Sequence, residues 1–205
     1  MGYQRDRVTF SVFHKLALTI YKCLKFKVLG ETEKLEWQQI LVADCLRVIG
    51  FCSLAYWLAS RVQISTSSDK HKFWSTHISG IALQYAGDLG GAERAYLQSQ
   101  DYGCELSLSF SLQHLGKLNV ELSNYELAEK QFIEALAIRT KLKRTDLIDS
   151  TNRAIQGLQK LRTEQTVQVG FSTRGIFGMR LILVVKCNAE AWSLRASPLN
   201  WALVA

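Results

Sequence analysis

The sequence repeats itself with a period of 36 residues between residues 72 and 162, and this feature restricts the possible folds most strongly. After that shift Gly80 falls on Gly116, Ala92 on Ala128, and Tyr96 on Phe132. In each copy a small residue follows the glycine by 12 positions, and an aromatic residue follows the small one by 4. A period of this length is typical of a unit that cannot bury its apolar face alone, so a stack of such units is predicted.

Each copy is predicted to be two antiparallel helices joined by a tight turn. Turn residues followed by an apolar residue lie in the middle of both copies, as Gly87-Asp88-Leu89 and Ser123-Asn124-Tyr125. Two helices approach closely only where small side chains face each other, so we expect contacts of Gly80 with Ala92 and of Gly116 with Ala128. Tyr96 and Phe132 are then expected to fill the groove toward the next hairpin.

The second copy resembles the tetratricopeptide repeat, in the pattern Leu112-x-x-Leu115-Gly116 followed by Tyr125-x-x-Ala128-x-x-x-Phe132-x-x-Ala135-Leu136. The first copy matches the second half of that signature through Gly87, Ala92 and Tyr96. The 36-residue period and the ending Glu134–Arg139 resemble the variant repeats of bacterial signalling ATPases, transcriptional regulators and kinesin light chains. The resemblance covers residues 72–162 and implies an all-α fold, an α-solenoid of helical hairpins, that binds a protein or peptide.

The same resemblance implies that the partner lies along the first helix of each hairpin. The implied partner-binding residues are Trp74, His77, Gln84, Tyr85, Gln113, Lys117 and Glu121. Further residues at equivalent positions are Ile81, Phe110, Asp149 and Arg153. The alternative is that several of these side chains, Ile81 and Phe110 above all, belong to the core.

Nothing in the sequence predicts catalysis, a metal ion or a cofactor. The four histidines, at 14, 71, 77 and 114, have no metal-ligand spacing, and no glycine-rich phosphate loop is present. The formal net charge of +7 lies outside the repeats, which does not favour a nucleic-acid partner. Five scattered cysteines indicate buried free thiols, and we expect a cytoplasmic, non-enzymatic protein.

Residues 1–64 are predicted to form N-terminal helices, with Gly50 as a divider. One interpretation places the first helix of a degenerate further repeat at Leu46-x-x-Ile49-Gly50. The most apolar window, 40–58, contains Asp44 and Arg47, so it predicts a buried helix rather than a transmembrane one.

The stretch 8–28 is an amphipathic basic helix with two interpretations. Its apolar residues Phe13, Leu16, Ile20 and Leu24 are expected to pack on the next helix. The alternative is that the helix docks on an anionic membrane or on RNA.

The C-terminal part of the chain differs from the repeats. A helix over 146–162 is expected to cap the stack. Residues 163–205 lose the helical period and the acidic residues, and contain the apolar run 176–185. We therefore expect an irregular or disordered tail from residue 163.

Overall fold

The computed structural model describes residues 8–172, with side chains to residue 164, and this part of the chain folds into eight α-helices without a strand. The helices are α1 Phe10–Val28, α2 Thr32–Val48, α3 Cys52–Ser65, α4 Asp69–Ala86, α5 Leu89–Gln100, α6 Glu105–Glu121, α7 Tyr125–Lys141 and α8 Thr145–Ser172. Each helix packs against its neighbours in sequence. The prediction of an all-α solenoid of antiparallel hairpins is confirmed.

The helices form two layers. The even-numbered helices α2, α4, α6 and α8 contact one another in succession as well as their sequence neighbours. The odd-numbered helices contact mainly the even-numbered helices on either side. We call the even-numbered set the inner helices and the odd-numbered set the outer helices. The inner helix α4 is the most enclosed, because nearly every residue from 71 to 85 is buried.

Left-handed backbone at one residue marks the turn within each hairpin. Gly50 follows α2 with φ 97°, Gly87 follows α4 with φ 92°, and Ser123 follows α6 with φ 62°. Glycine adopts this conformation without the steric penalty that a side chain imposes, which explains two of the three residues. The predicted division of the N-terminal helices at Gly50 is confirmed.

The small residues of the repeat bring the two helices of a hairpin together, and aromatic rings are the nearest neighbours of both glycines. A Cβ atom added to Gly116 would lie 2.5 Å from the ring of Phe132, and one added to Gly80 would lie 2.8 Å from the ring of Tyr96. The glycines therefore accommodate the aromatic rings of their own hairpins. Ala92, Ala128 and Ala135 are fully buried beside these contacts.

A degenerate hairpin precedes the two recognised copies, in a register that differs from the predicted one. Gly50 is the turn residue rather than the close-packing glycine. Seven residues before each turn residue stand Ala43, Gly80 and Gly116. The facing aromatic position of α3 is Ala59, which is fully buried. A smaller residue at this position leaves room for the Cβ atom of Ala43, so Ala43 can replace the glycine.

Helix α1 presents a different face to α2 than the sequence predicted. Val12 and Thr19 are buried, whereas Phe13, Ile20 and Leu24 are exposed. Lys15 Nζ lies 3.5 Å from Asp44 Oδ2 on α2, which places Lys15 on the side of α1 that faces α2. The expectation that the Phe13, Ile20 and Leu24 face packs on the next helix is therefore wrong.

The last described helix runs further than predicted. Helix α8 continues to Ser172, so residues 163–172 are helical rather than irregular, and the remaining tail lies outside the described residues. Arg162 Nη1 donates to Glu129 Oε2 at 2.6 Å and joins α8 to α7. Cys45 and Cys52 are buried free thiols as expected, whereas the free thiol of Cys104 is on an exposed residue. Cys187 lies outside the described residues.

Candidate interaction surface

Most side chains predicted to line an open groove are buried. Trp74, His77, Gln84, Tyr85 and Gln113 are each at most 5% exposed. Ile81 and Phe110 are also at most 5% exposed, and the sequence analysis gave a core position as the alternative for both. The prediction that these residues present a free binding face is therefore wrong, and they belong to the interior of the stack.

The polar members of this set pair with one another across neighbouring inner helices. Gln84 Nε2 donates to Glu121 Oε1 at 2.8 Å, and Gln113 Nε2 donates to Ser150 Oγ at 3.1 Å. In both bonds the partners are 37 residues apart in sequence, one repeat further along the stack. A hydrogen bond offsets much of the free energy that burial of a polar group costs, which explains why amides are tolerated here.

One repeat earlier, a buried ion pair joins the neighbouring inner helices α2 and α4. Arg47 Nη2 lies 2.7 Å from Asp44 Oδ1 within α2, and Arg47 Nη1 donates to Tyr85 Oη of α4 at 3.3 Å. The Asp44 and Arg47 charges that argued against a transmembrane helix are thus neutralised inside the protein. No helix of the described chain is both long and apolar enough to cross a membrane.

An aromatic cluster fills the space between α4, α5 and α6. The ring centroids of Trp74 and Phe110 are 5.2 Å apart, and those of His77 and His114 are 4.8 Å apart, both in edge-to-face geometry. Tyr96 of α5 packs against both imidazoles, and its hydroxyl donates to Gln84 Oε1 at 2.7 Å. These rings fix the spacing of the inner helices.

The two imidazoles of this cluster are held neutral. Burial, and to a smaller extent the cations Arg47, Lys117 and Arg139, lower the pKa of His77 to about 3. Burial likewise places the pKa of His114 well below its usual value. The Nδ1 atoms of both rings are buried without a hydrogen-bond partner. Within the described residues no group of histidine, cysteine and acidic side chains could hold a metal ion.

Among the positions predicted for partner binding, the side chains that keep exposure lie on α6 and α8. Lys117 and Glu121 are partly exposed, and Asp149 and Arg153 are exposed. Lys117 and Arg153 are 36 residues apart, so they occupy the same position in consecutive units. Burial raises the pKa of Glu121, although its hydrogen bond with Gln84 opposes the change. We call these four residues the inner-face patch.

Sequence reasoning missed the buried guanidinium of Arg139. This side chain of α7 is 1% exposed and donates to Ser109 Oγ, Gln113 Oε1 and Thr151 Oγ1. It also donates to the backbone oxygens of Leu147 and Ser109. Burial lowers the pKa of Arg139 to about 10. Its position near the end of a repeat gave no signal of burial.

The comparisons with known proteins support the fold. No protein-family model matches the sequence, and no curated protein matches it. The crystal structure of BtubC (BKLC) from P. vanneervenii matches with a TM-score of 0.62 and 14% sequence identity, covering 75% of this chain and 68% of that chain. At this identity the similarity concerns the fold alone. The described residues thus form a helical-repeat solenoid, while membership of the tetratricopeptide family stays a prediction.

Proposed function

We propose that the chain is a non-catalytic protein-interaction scaffold that binds a peptide or helix at the inner-face patch of α6 and α8. Solenoids of this kind present extended surfaces on which partners bind, which favours a binding role over catalysis. The fold alone does not identify the partner.

One observation carries the location: exposure along the inner layer rises toward the C-terminal side. His77 and Ile81 of α4 are buried, whereas Asp149 and Arg153, two units further on, are exposed. Equivalent positions therefore belong to the core in one unit and to the surface in another. A partner that lies along the inner layer can contact charged side chains on α6 and α8. At α4 the equivalent side chains are buried, so the partner cannot contact them.

The charge of the patch indicates the chemistry of its ligand. Lys117 and Arg153 supply two cations at repeat spacing, with Glu121 and Asp149 beside them. Arginine binds carboxylates through two parallel hydrogen bonds, which gives orientation as well as affinity. We therefore expect a peptide that carries both acidic and basic side chains.

The test is selection of peptides from a library with the purified protein, followed by calorimetric titration of the selected sequences. Lys117→Ala/Arg153→Ala should weaken binding by at least about tenfold, or roughly 1.4 kcal/mol. The matched control is Arg94→Ala/Lys130→Ala, which removes the same charges from exposed positions on the outer helices α5 and α7. Equal losses in both variants, or no loss in the first, would overturn the assignment of the patch.

A further inference from the structure

Helix α1 carries an apolar stripe that no described part of the protein covers. The stripe consists of Phe10, Phe13, Ile20, Leu24 and Val28, whose exposed fractions are 87%, 49%, 44%, 62% and 86%. The residues follow one another at intervals that keep them on one side of an α-helix. A continuous exposed apolar surface of this kind marks a site of interaction with a protein or a membrane.

The stripe faces away from the body of the protein. The opposite side of α1 packs on α2 through the buried residues Val12 and Thr19. The hydroxyl of Thr19 donates to the Lys15 backbone oxygen at 2.7 Å, which satisfies its polar group within the helix. These contacts fix the orientation of α1 on α2. The stripe is therefore the side of α1 that remains available for contact with another surface.

The charged side chains of α1 itself have a single sign. Helix α1 contains no aspartate or glutamate, and it contains four lysines at positions 15, 22, 25 and 27. Lys25 and Lys27 are exposed and, at 100° per residue, lie on opposite sides of the stripe. Lysine side chains beside an apolar face reach lipid headgroups while their methylene stems stay in contact with apolar surface.

The next outer helix has the same character. Helix α3 also lacks acidic residues and exposes Leu54, Trp57 and Ile64. The guanidinium of Arg61 lies 4.9 Å from the Trp57 ring centroid. Tryptophan is enriched where membranes meet water, since one end of its ring system is polar.

Among the described outer helices, the combination of exposed apolar side chains with an absence of acidic residues is confined to α1 and α3. Helix α7 also exposes apolar residues, Leu127 and Ile133, but it carries Glu126, Glu129 and Glu134 among them. An anionic surface would repel these carboxylates. The charge pattern therefore distinguishes α1 and α3 from the later outer helices.

We propose that α1, assisted by α3, docks the protein on the surface of an anionic lipid bilayer. None of the described helices could span the bilayer, so docking is peripheral. A second copy fits less well, because an antiparallel contact between two α1 helices gathers their lysines without a carboxylate between them. RNA fits less well because its phosphates need cations and make no use of exposed Phe13 and Leu24.

Flotation of the full chain with lipid vesicles tests the proposal. One set of vesicles is phosphatidylcholine alone, and the other contains about one third phosphatidylserine. We expect binding to the anionic vesicles that weakens as salt is raised, because screening reduces the lysine contribution. Phe13→Ser/Leu24→Ser should lower the partition coefficient at least about tenfold. Lys25→Glu/Lys27→Glu should abolish the preference for phosphatidylserine.

The control is Leu127→Ser/Ile133→Ser, which removes apolar side chains of similar exposure from α7 and should leave binding unchanged. All these residues are exposed, so circular dichroism should show unaltered helicity. Absence of binding, equal binding to both vesicle types, or an equal loss in the control would overturn the proposal. A dimer in sedimentation equilibrium that Phe13→Ser/Leu24→Ser dissociates, without vesicle binding, would overturn it in favour of self-association. Binding of single-stranded RNA that survives this double substitution, again without vesicle binding, would overturn it in favour of RNA.

Discussion

The approach of α7 to α6 at Gly116 allows a quantitative test of the hairpin register. In Gly116→Ala the new Cβ atom would lie 2.5 Å from one ring carbon of Phe132 and 2.6 Å from the next. Real Cβ atoms essentially never approach other heavy atoms so closely, and Phe132 is fully buried, so its ring has little room to move. Overpacking of this kind costs roughly 1–3 kcal/mol. The higher helix propensity of alanine relative to glycine offsets up to about 1 kcal/mol of this cost. Because the approach is so close, the cost is expected in the upper part of its range, which leaves a net loss of about 1–2 kcal/mol in the free energy of unfolding.

The same substitution at Gly90 is the matched control. Gly90 is exposed on α5, and an added Cβ atom would meet only Arg94 Nη1, at 3.6 Å. Gly90→Ala should therefore stabilise the protein by about 0.4–1 kcal/mol, through a smaller conformational entropy of the unfolded chain. Urea unfolding followed by circular dichroism measures both variants. Their effects should have opposite signs.

A double-mutant cycle shows whether the loss arises at the proposed contact. Phe132→Leu removes ring atoms next to Gly116 and is destabilising by itself. If the ring causes the clash, Gly116→Ala should cost at least about 1 kcal/mol less in the Phe132→Leu background. Additive effects, or a Gly116→Ala variant as stable as Gly90→Ala, would refute the close approach of the two helices.

Two further predictions concern buried polar groups. The pKa of His77 is about 3 in the folded protein, and its usual value is 6.5. Between these values the unfolded state binds one more proton, so the free energy of unfolding should fall by about 1.4 kcal/mol for each unit of decreasing pH. Urea unfolding at several pH values should give a shallower slope for His77→Phe, and an unchanged slope would exclude this histidine as a cause. Arg139→Ala should destabilise by about 3 kcal/mol or more, because it leaves a cavity and buried acceptors without a donor. Adding Ser109→Phe to Arg139→Ala should restore at least about 1 kcal/mol by filling the space, and a further loss would contradict this pairing.

The hairpin architecture was predictable because the close approach of two helices requires particular residue sizes at particular positions. Glycine at 80 and 116 and an aromatic residue at 96 and 132 recur at a fixed spacing, and the structure places each glycine against the ring of its own hairpin. The spacing alone could not distinguish this contact from one between glycine and alanine. Both arrangements require a small residue at the same place, so the ring contact was not predicted, and the contact of glycine with alanine stays a prediction.

The candidate site was less predictable because the resemblance indicates which helix of each hairpin carries it, but not which of its side chains the neighbouring units cover. Gln84 and Gln113 are polar, and the side-chain oxygen of each accepts a hydrogen bond within its own hairpin, from Tyr96 and Arg139 respectively. Their Nε2 groups donate across the stack instead. The partners Glu121 and Ser150 lie one unit further along the stack. Such pairing becomes visible only when neighbouring inner helices are placed side by side. Lys117 and Glu121 are the two predicted partner-binding residues that keep partial exposure.

Helix α1 shows a related limit of periodicity. The spacing of Phe13, Ile20 and Leu24 correctly indicates one apolar side of a helix. It does not show what covers that side. The choice of packing face was decided by Lys15, which lies near Asp44, and by Thr19, which satisfies its own hydroxyl. Polar residues with a partner thus occupied the interior, and the apolar stripe remained outside.

The position of Arg139 shows how the stack keeps its geometry while its residues change. In the first copy a Cβ atom on Gly103 would lie 3.0 Å from the ring of Phe73, so a large residue faces the smallest one. Thirty-six residues further on, the pair is Ser109 and Arg139, with Arg139 Nε donating to Ser109 Oγ at 3.1 Å.

The large member of the pair has thereby moved from the inner helix to the outer helix, and the filled volume is conserved. Close packing constrains the sum of facing volumes more strongly than the identity of either residue. In the first hairpin Ala43 and Ala59 stand in place of the Gly80 and Tyr96 pair. The facing volume is smaller there, and with the aromatic ring absent a glycine is no longer required opposite it. Compensated exchanges of this kind remove the signature residues of a repeat and leave the helix spacing intact. A unit of the stack can therefore keep the helical-hairpin fold even where its sequence has lost the repeat signature, which is clear in only one or two copies.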